Sequence, residues 1–169
     1  MRVSIGIVAV LVLALAVAVH IASVVNVDVE ASYPQVWWMH VTSMVLCGAA
    51  LLFTVRIAGP KPRLGDLIAT IPLWALTAII AALVYVFVNF FLLVPATGAG
   101  DPVLSGGRYF FNDHGTMREV SEGTFHAERA ATLRLYSGVW VYLCLISAVL
   151  FLLARPRARN SSQDLRVTS

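Results

Sequence analysis

The chain has 169 residues, of which 59% are hydrophobic and only 12% charged, where soluble domains average about a quarter charged. A mean hydropathy of +0.83 excludes an ordinary water-soluble globular domain. The formal net charge is +3, and the arginines behind the pI of about 9.2 flank apolar stretches, so they make a topology signal and no case for a nucleic-acid partner.

Four stretches, Val3 to Val27, Val36 to Val55, Leu67 to Val94 and Leu135 to Ala154, contain no Lys, Arg, Asp or Glu, and each reaches the roughly 20 residues that cross a bilayer core. Lipid offers backbone N–H and C=O groups no partner, so a run of this length closes its own hydrogen bonds as a helix. The expected fold is an all-α integral membrane protein. A four-transmembrane-helix bundle with spans at about 3–27, 36–57, 67–94 and 135–154 forms a single domain, 1–154, followed by a basic disordered tail, 155–169. The first stretch admits a second reading. Met1-Arg2 ahead of it and Ala16-Val17-Ala18 within it could mark a cleaved signal peptide, although its length exceeds the usual h-region of about 7 to 15 residues.

In chain order, Pro34 suits the start of the second helix, Trp37 and Trp38 suit an aromatic belt, and Gly59-Pro60 should stop that helix. The third stretch is the longest at 28 residues. As one helix it would measure about 42 Å against a core of roughly 30 Å, so it should tilt or protrude. Asp66 would cap it and Pro72 would fall in its first turn. The extracytoplasmic segment 95–134 reads as a Gly/Pro linker from Pro95 to Gly107, a β-hairpin and a helix. The hairpin pairs Arg108 to Asn112 with Thr116 to Val120 around a three-residue loop, Asp113-His114-Gly115. It could cover the bundle mouth as a lid. Ser121 then caps a helix that can run unbroken into the fourth span.

Charge sets the orientation, because short loops rich in Lys and Arg stay cytoplasmic. Arg2, Arg56, Lys61, Arg63 and the four arginines of the tail are opposed only by Asp66 and Asp164, whereas the other connections carry seven acids against four arginines. Both termini are therefore expected in the cytoplasm. The two cysteines, Cys47 and Cys144, lie inside apolar stretches, where a thiol serves as a small hydrophobe, and no disulfide scaffold staples the outer segment. Arg outnumbers Lys eleven to one, a bias that suggests a GC-rich bacterial genome and hence a bacterial plasma membrane. The layout is similar to that of tetraspanins in outline, but their Cys-Cys-Gly motif and loop cysteines are absent and no family follows.

Polar residues within the spans are the strongest functional signal, since lipid disfavours them and they usually face a bundle interior. His40, Ser43, Met44 and Cys47 form a stripe on the second span, and Ala78, Ala82, Tyr85 and Asn89 form one on the third. His20 and Ser23 belong to the first, and Ser137, Trp140 and Cys144 to the fourth. At about 1.5 Å per residue, His20, His40 and Asn89 should share a layer roughly 7 to 11 Å below the outer surface. With His114 and His126 of the outer segment they make a candidate outer-leaflet polar pocket. In the plainest reading these side chains hydrogen-bond one another and fix helix register. Paired imidazoles could instead ligate haem iron or a metal ion, although no tight ligand spacing supports it and no cofactor is expected.

No catalytic constellation is framed, so an enzyme is not expected. The expectation is an accessory or scaffold protein that packs against other membrane proteins or itself. Alternatives are a haem- or metal-binding redox module using His20 and His40, and a small solute or proton permease, disfavoured because no span carries an acid.

Overall fold

A computed structural model describes residues 2–58, 64–93 and 100–154. Helix α1 covers Arg2–Val24, and the short α2, Val29–Ser32, leads through a 3₁₀ turn at Pro34–Trp37 into α3, Trp38–Ala58. After α4, Leu64–Ile68, comes α5, Leu73–Leu93. A three-stranded sheet, β1 at Asp101–Ser105, β2 at Arg108–Asp113 and β3 at Thr116–Glu119, precedes α6, Glu122–Leu153. Four helical stretches, Val3–Val24, Pro34–Ile57, Leu73–Leu92 and Glu122–Leu153, are long and apolar enough to cross a membrane.

The last helix organises the others. On α6, Ala130, Leu133, Ser137, Trp140, Cys144, Ser147 and Phe151 are buried, alternating by three and four positions, which keeps one seam turned toward packing partners. Half of that seam is small, which lets neighbouring backbones approach closely. Helices α1, α3 and α5 each pack along α6, while α1 and α3 touch each other only briefly. Two apolar clusters result. Ala16, Val19, Val36, Met39, Leu133 and Trp140 form one toward the sheet end, and Ala9, Ala50, Ala148, Leu150 and Phe151 form the other. Cys47 and Cys144 are buried and unpaired.

Two expectations for the third span are corrected. Its helix begins at Leu73, because Pro72 lacks the N–H that would continue α4 and instead accepts bonds at its carbonyl from Ala75 N and Leu76 N, both at 3.0 Å. Asp66 accordingly lies inside the separate helix α4 rather than at the start of the span. The 21 residues of α5 measure about 32 Å and match a bilayer core without overhang. Ser121 caps α6 as expected, its Oγ accepting from Thr124 N at 3.2 Å, and α6 is unbroken through 32 residues. Gly59-Pro60, Pro95 and the tail 155–169 lie outside the described residues.

The segment between α5 and α6 also differs from expectation. Residues 101–105, expected in a linker, form β1, and the sheet is an antiparallel meander in the order β1-β2-β3. Ser105 pairs with Arg108 and Asp113 with Thr116, so both turns have two-residue loops. Gly106 and Gly107 have φ of 58° and 75°, and His114 and Gly115 have φ of 49° and 95°. Positive φ at both loop residues is the type I′ geometry whose twist matches that of the strands. The bulged three-residue loop is thereby replaced, and Asn112 Oδ1 accepts from Gly115 N at 2.8 Å to hold the second turn. The sheet rests on the first turns of α6 through β1 and β2, with Phe111 buried and the Tyr109 ring 5.0 Å from that of Phe125. It makes no comparable contact with α1, α3 or α5 among the described residues, so its described packing is on α6.

Replacing Gly106 and Gly107 together with valine should cost about 1–2 kcal/mol per residue at positive φ and release β1. Amide exchange across 101–105 would rise while exchange in α6 stays slow; unchanged protection of β1 would contradict the turn assignment.

Candidate functional site

The polar residues of the helices gather on α6 near the sheet end. Ser137 Oγ donates to the Arg134 carbonyl at 3.2 Å, so it presents a lone pair to His20 Nδ1 at 2.9 Å. The other ring nitrogen, Nε2, lies 2.6 Å from the Tyr85 hydroxyl, so a neutral imidazole donates at one nitrogen and accepts at the other along this chain. Ser23 Oγ, beside this chain, donates to the His20 carbonyl at 2.7 Å. Gly138 leaves room for the group: a Cβ there would lie 3.4 Å from Asn89 Nδ2 and 3.5 Å from His20 Cε1.

Asn89 and Arg134 grip each other at two points. Arg134 Nε donates to Asn89 Oδ1 at 3.0 Å, and Asn89 Nδ2 donates to the Arg134 carbonyl at 3.4 Å. Asn89 is only 2% exposed, and these bonds supply partners that apolar surroundings would withhold. From positions one turn apart, α5 reaches two helices: Tyr85 bonds His20 of α1, and Asn89 bonds Arg134 of α6.

His40 takes a different flank. Its Nδ1 accepts from Trp140 Nε1 at 3.0 Å, and the Tyr136 ring stands edge-on to it with centroids 6.0 Å apart. The depth expectation for His20, His40 and Asn89 thus meets a second coordinate, rotation about α6: His20 and Asn89 share one side, and His40 lies on the side facing α3. None of the three bonds another directly; each reaches a residue of α6 or, for His20, also Tyr85.

The two remaining histidines are elsewhere. His114 occupies the β2–β3 turn, 98% exposed, with Nδ1 2.7 Å from Asp113 Oδ1. His126 locks the α1–α3 connection onto α6. Asp28 caps α2 by accepting from Ala31 N at 3.0 Å with Oδ1, while its Oδ2 accepts from His126 Nδ1 at 2.6 Å and lies 3.4 Å from Arg129 Nε in an ion pair. Arg129 Nη2 lies 3.2 Å from Glu30 Oε1. The Asp28 side chain is 7% exposed, so this pairing is partly desolvated and stronger than a surface ion pair. At the sheet, Tyr109 donates to Glu122 Oε1 at 2.9 Å, a bond that pushes the phenol above its ordinary range.

The chemistry open to this arrangement is narrow. The chain Tyr85–His20–Ser137 ends on the Arg134 backbone carbonyl and ties α5, α1 and α6 into one register. His20 has both ring nitrogens occupied and does not face His40, so the pair does not fit axial ligation of haem iron. Among the described residues, no group of three His, Cys, Asp or Glu is placed to hold a metal ion. Arg134 is the member of the cluster that sequence reasoning left out. It stands one residue before the charge-free stretch and was counted with the outer segment; its place one residue after seam position Leu133 was the available signal.

Comparisons with protein-family models, curated proteins and solved structures find no match.

Removing one partner of the His20–Tyr85 bond should destabilise the helices by about 1 kcal/mol, and a His20→Phe/Tyr85→Phe cycle should show coupling of roughly 0.5–1.5 kcal/mol. Equilibrium unfolding in mixed micelles measures both, and strict additivity would mean the bond contributes nothing.

Proposed function

We propose that the chain is a multi-pass protein of a bacterial plasma membrane, both termini cytoplasmic, acting as an accessory or scaffold subunit that receives a transmembrane helix of another membrane protein between α1 and α3. The observation that carries this reading is a lateral groove. These helices share α6 but scarcely touch each other, leaving about 480 Å³ between them. Leu15, Ala18, Val19 and Ala22 of α1 face Val36, Met39 and Thr42 across it.

The groove has the chemistry of a helix seat. Ala14, Ala18 and Ala22 recur every four residues, and small residues at that spacing let a second helix approach closely enough for dispersion forces, the main attraction between helices in lipid. The polar cluster sits on another side of α6 and is internally bonded, which suits a structural element better than a reaction centre. Four spans with arginine-rich ends on one side support the stated sidedness.

Sidedness is tested in intact cells with a membrane-impermeant thiol reagent. Ser105→Cys and Ser121→Cys should label and Ser161→Cys should not until lysis; the opposite pattern would invert the orientation. The groove is tested by placing a photo-crosslinking residue at Ala18 and, as control, at exposed Val88 of α5. Ala18 should give one discrete heterologous product that Ala22→Leu reduces about tenfold, overpacking costing about 1–3 kcal/mol. Equal products from both positions, or only a crosslinked homodimer, would sink the heterologous-partner reading.

A further inference from the structure

Of the four arginines among residues 100–134, Arg108 pairs with Glu119, Arg129 with Asp28 and Glu30, and Arg118 lies over the Phe111 ring. Arg134 differs. Among the described residues it pairs with no carboxylate, and its side chain makes one hydrogen bond, through Nε to Asn89 Oδ1 at 3.0 Å. That bond orients the guanidinium and, among the described residues, leaves Nη1 and Nη2 without an acceptor. No buried side-chain nitrogen or oxygen among the described residues lacks a partner, so both terminal nitrogens are open to the surroundings although the residue as a whole is half-buried.

The position gives this open fork a meaning. Asn89 lies four residues before the end of α5 at Leu93, so the guanidinium sits about 6 Å inside the sheet end of that helix. On the membrane reading, on which this inference rests, that is the boundary between acyl chains and headgroups. A charge left unpaired there is costly, whereas a planar fork with two free N–H edges fits two oxygens of one phosphate. The acids of the neighbouring connection, Asp28 and Glu30, are already engaged by His126 and Arg129.

We infer that Arg134, oriented by Asn89, is a binding site for a phosphate anion, in the first place the phosphodiester of a phospholipid headgroup in the outer leaflet. The two Nη groups bind the phosphate oxygens, and the acyl chains lie along the exposed flank of α5, where Tyr85, Val88 and Leu92 are uncovered.

The test uses delipidated full-length protein in non-ionic detergent. Dioleoyl phosphatidylglycerol and dioleoylglycerol, the same chains without the phosphate, are titrated in parallel and read by native mass spectrometry; inorganic phosphate is titrated by calorimetry. Wild type should retain phosphatidylglycerol roughly tenfold more tightly than dioleoylglycerol, and folded Arg134→Gln should erase that preference. Arg134→Lys, which keeps charge without the fork, should keep part of it. Saturable binding of inorganic phosphate without lipid preference would uphold the anion site and name a soluble source. Equal retention of the two lipids by wild type with no phosphate binding would overturn the inference, and this result needs no variant to fold. A folded Arg134→Gln that keeps the full preference would overturn it as well. These readings are independent of thiol labelling and of any partner at Ala18, so failure here is separable from failure of the functional reading.

Discussion

Close packing along one face of α6 is the constraint on which the molecule depends. On the membrane reading there is no hydrophobic gain from pushing two apolar helices together, so association rests on contact distance and on polar bonds between helices. The seam on α6 provides both. Its alanines, serines and cysteine bring α1 and α3 close, and Ser137 with the carbonyl of Arg134 supplies the acceptors for His20 and Asn89. Where the seam is bulky, at Trp140, the indole N–H is directed onto His40 rather than left unbonded.

The remaining polar groups are handled locally. The hydroxyls of Ser23, Ser43, Thr54, Thr77 and Ser147 each donate to a carbonyl three or four residues back on their own helix, which satisfies them without any neighbour. Between-helix bonds are thus few and concentrated near the sheet end, where the α1–α3 connection is also clamped by Asp28. Toward the opposite end the described core is an apolar cluster, Ala9, Ala50, Ala148, Leu150 and Phe151.

Much of this was legible in the residues. Absence of charge marked all four apolar helices, since the signal is a gross transfer energy summed over about 20 positions. The start of the third was misplaced because the apolar run continues across Pro72, and hydropathy does not register a missing N–H. Strand β1 escapes the sequence reading because Gly106-Gly107 has the composition of a linker, although Gly-Gly between short apolar segments is also a hairpin turn. For the polar cluster, counting residues from helix ends gave depth, and that grouped His20 with Asn89. It could not give rotation about a shared neighbour, which is why His40 was placed in the same pocket and Arg134 was not.

The dependence on α6 has a consequence for how the molecule comes into being. Synthesis runs from the amino terminus, so α1, α3 and α5 leave the ribosome before the helix on which all three pack. Among the described residues α1 and α3 scarcely touch, and α5 meets α1 chiefly through the Tyr85–His20 bond, so the three lack most of their packing until α6 is present. The packing of α1, α3 and α5 is therefore completed late, when the last helix is in place to be packed against.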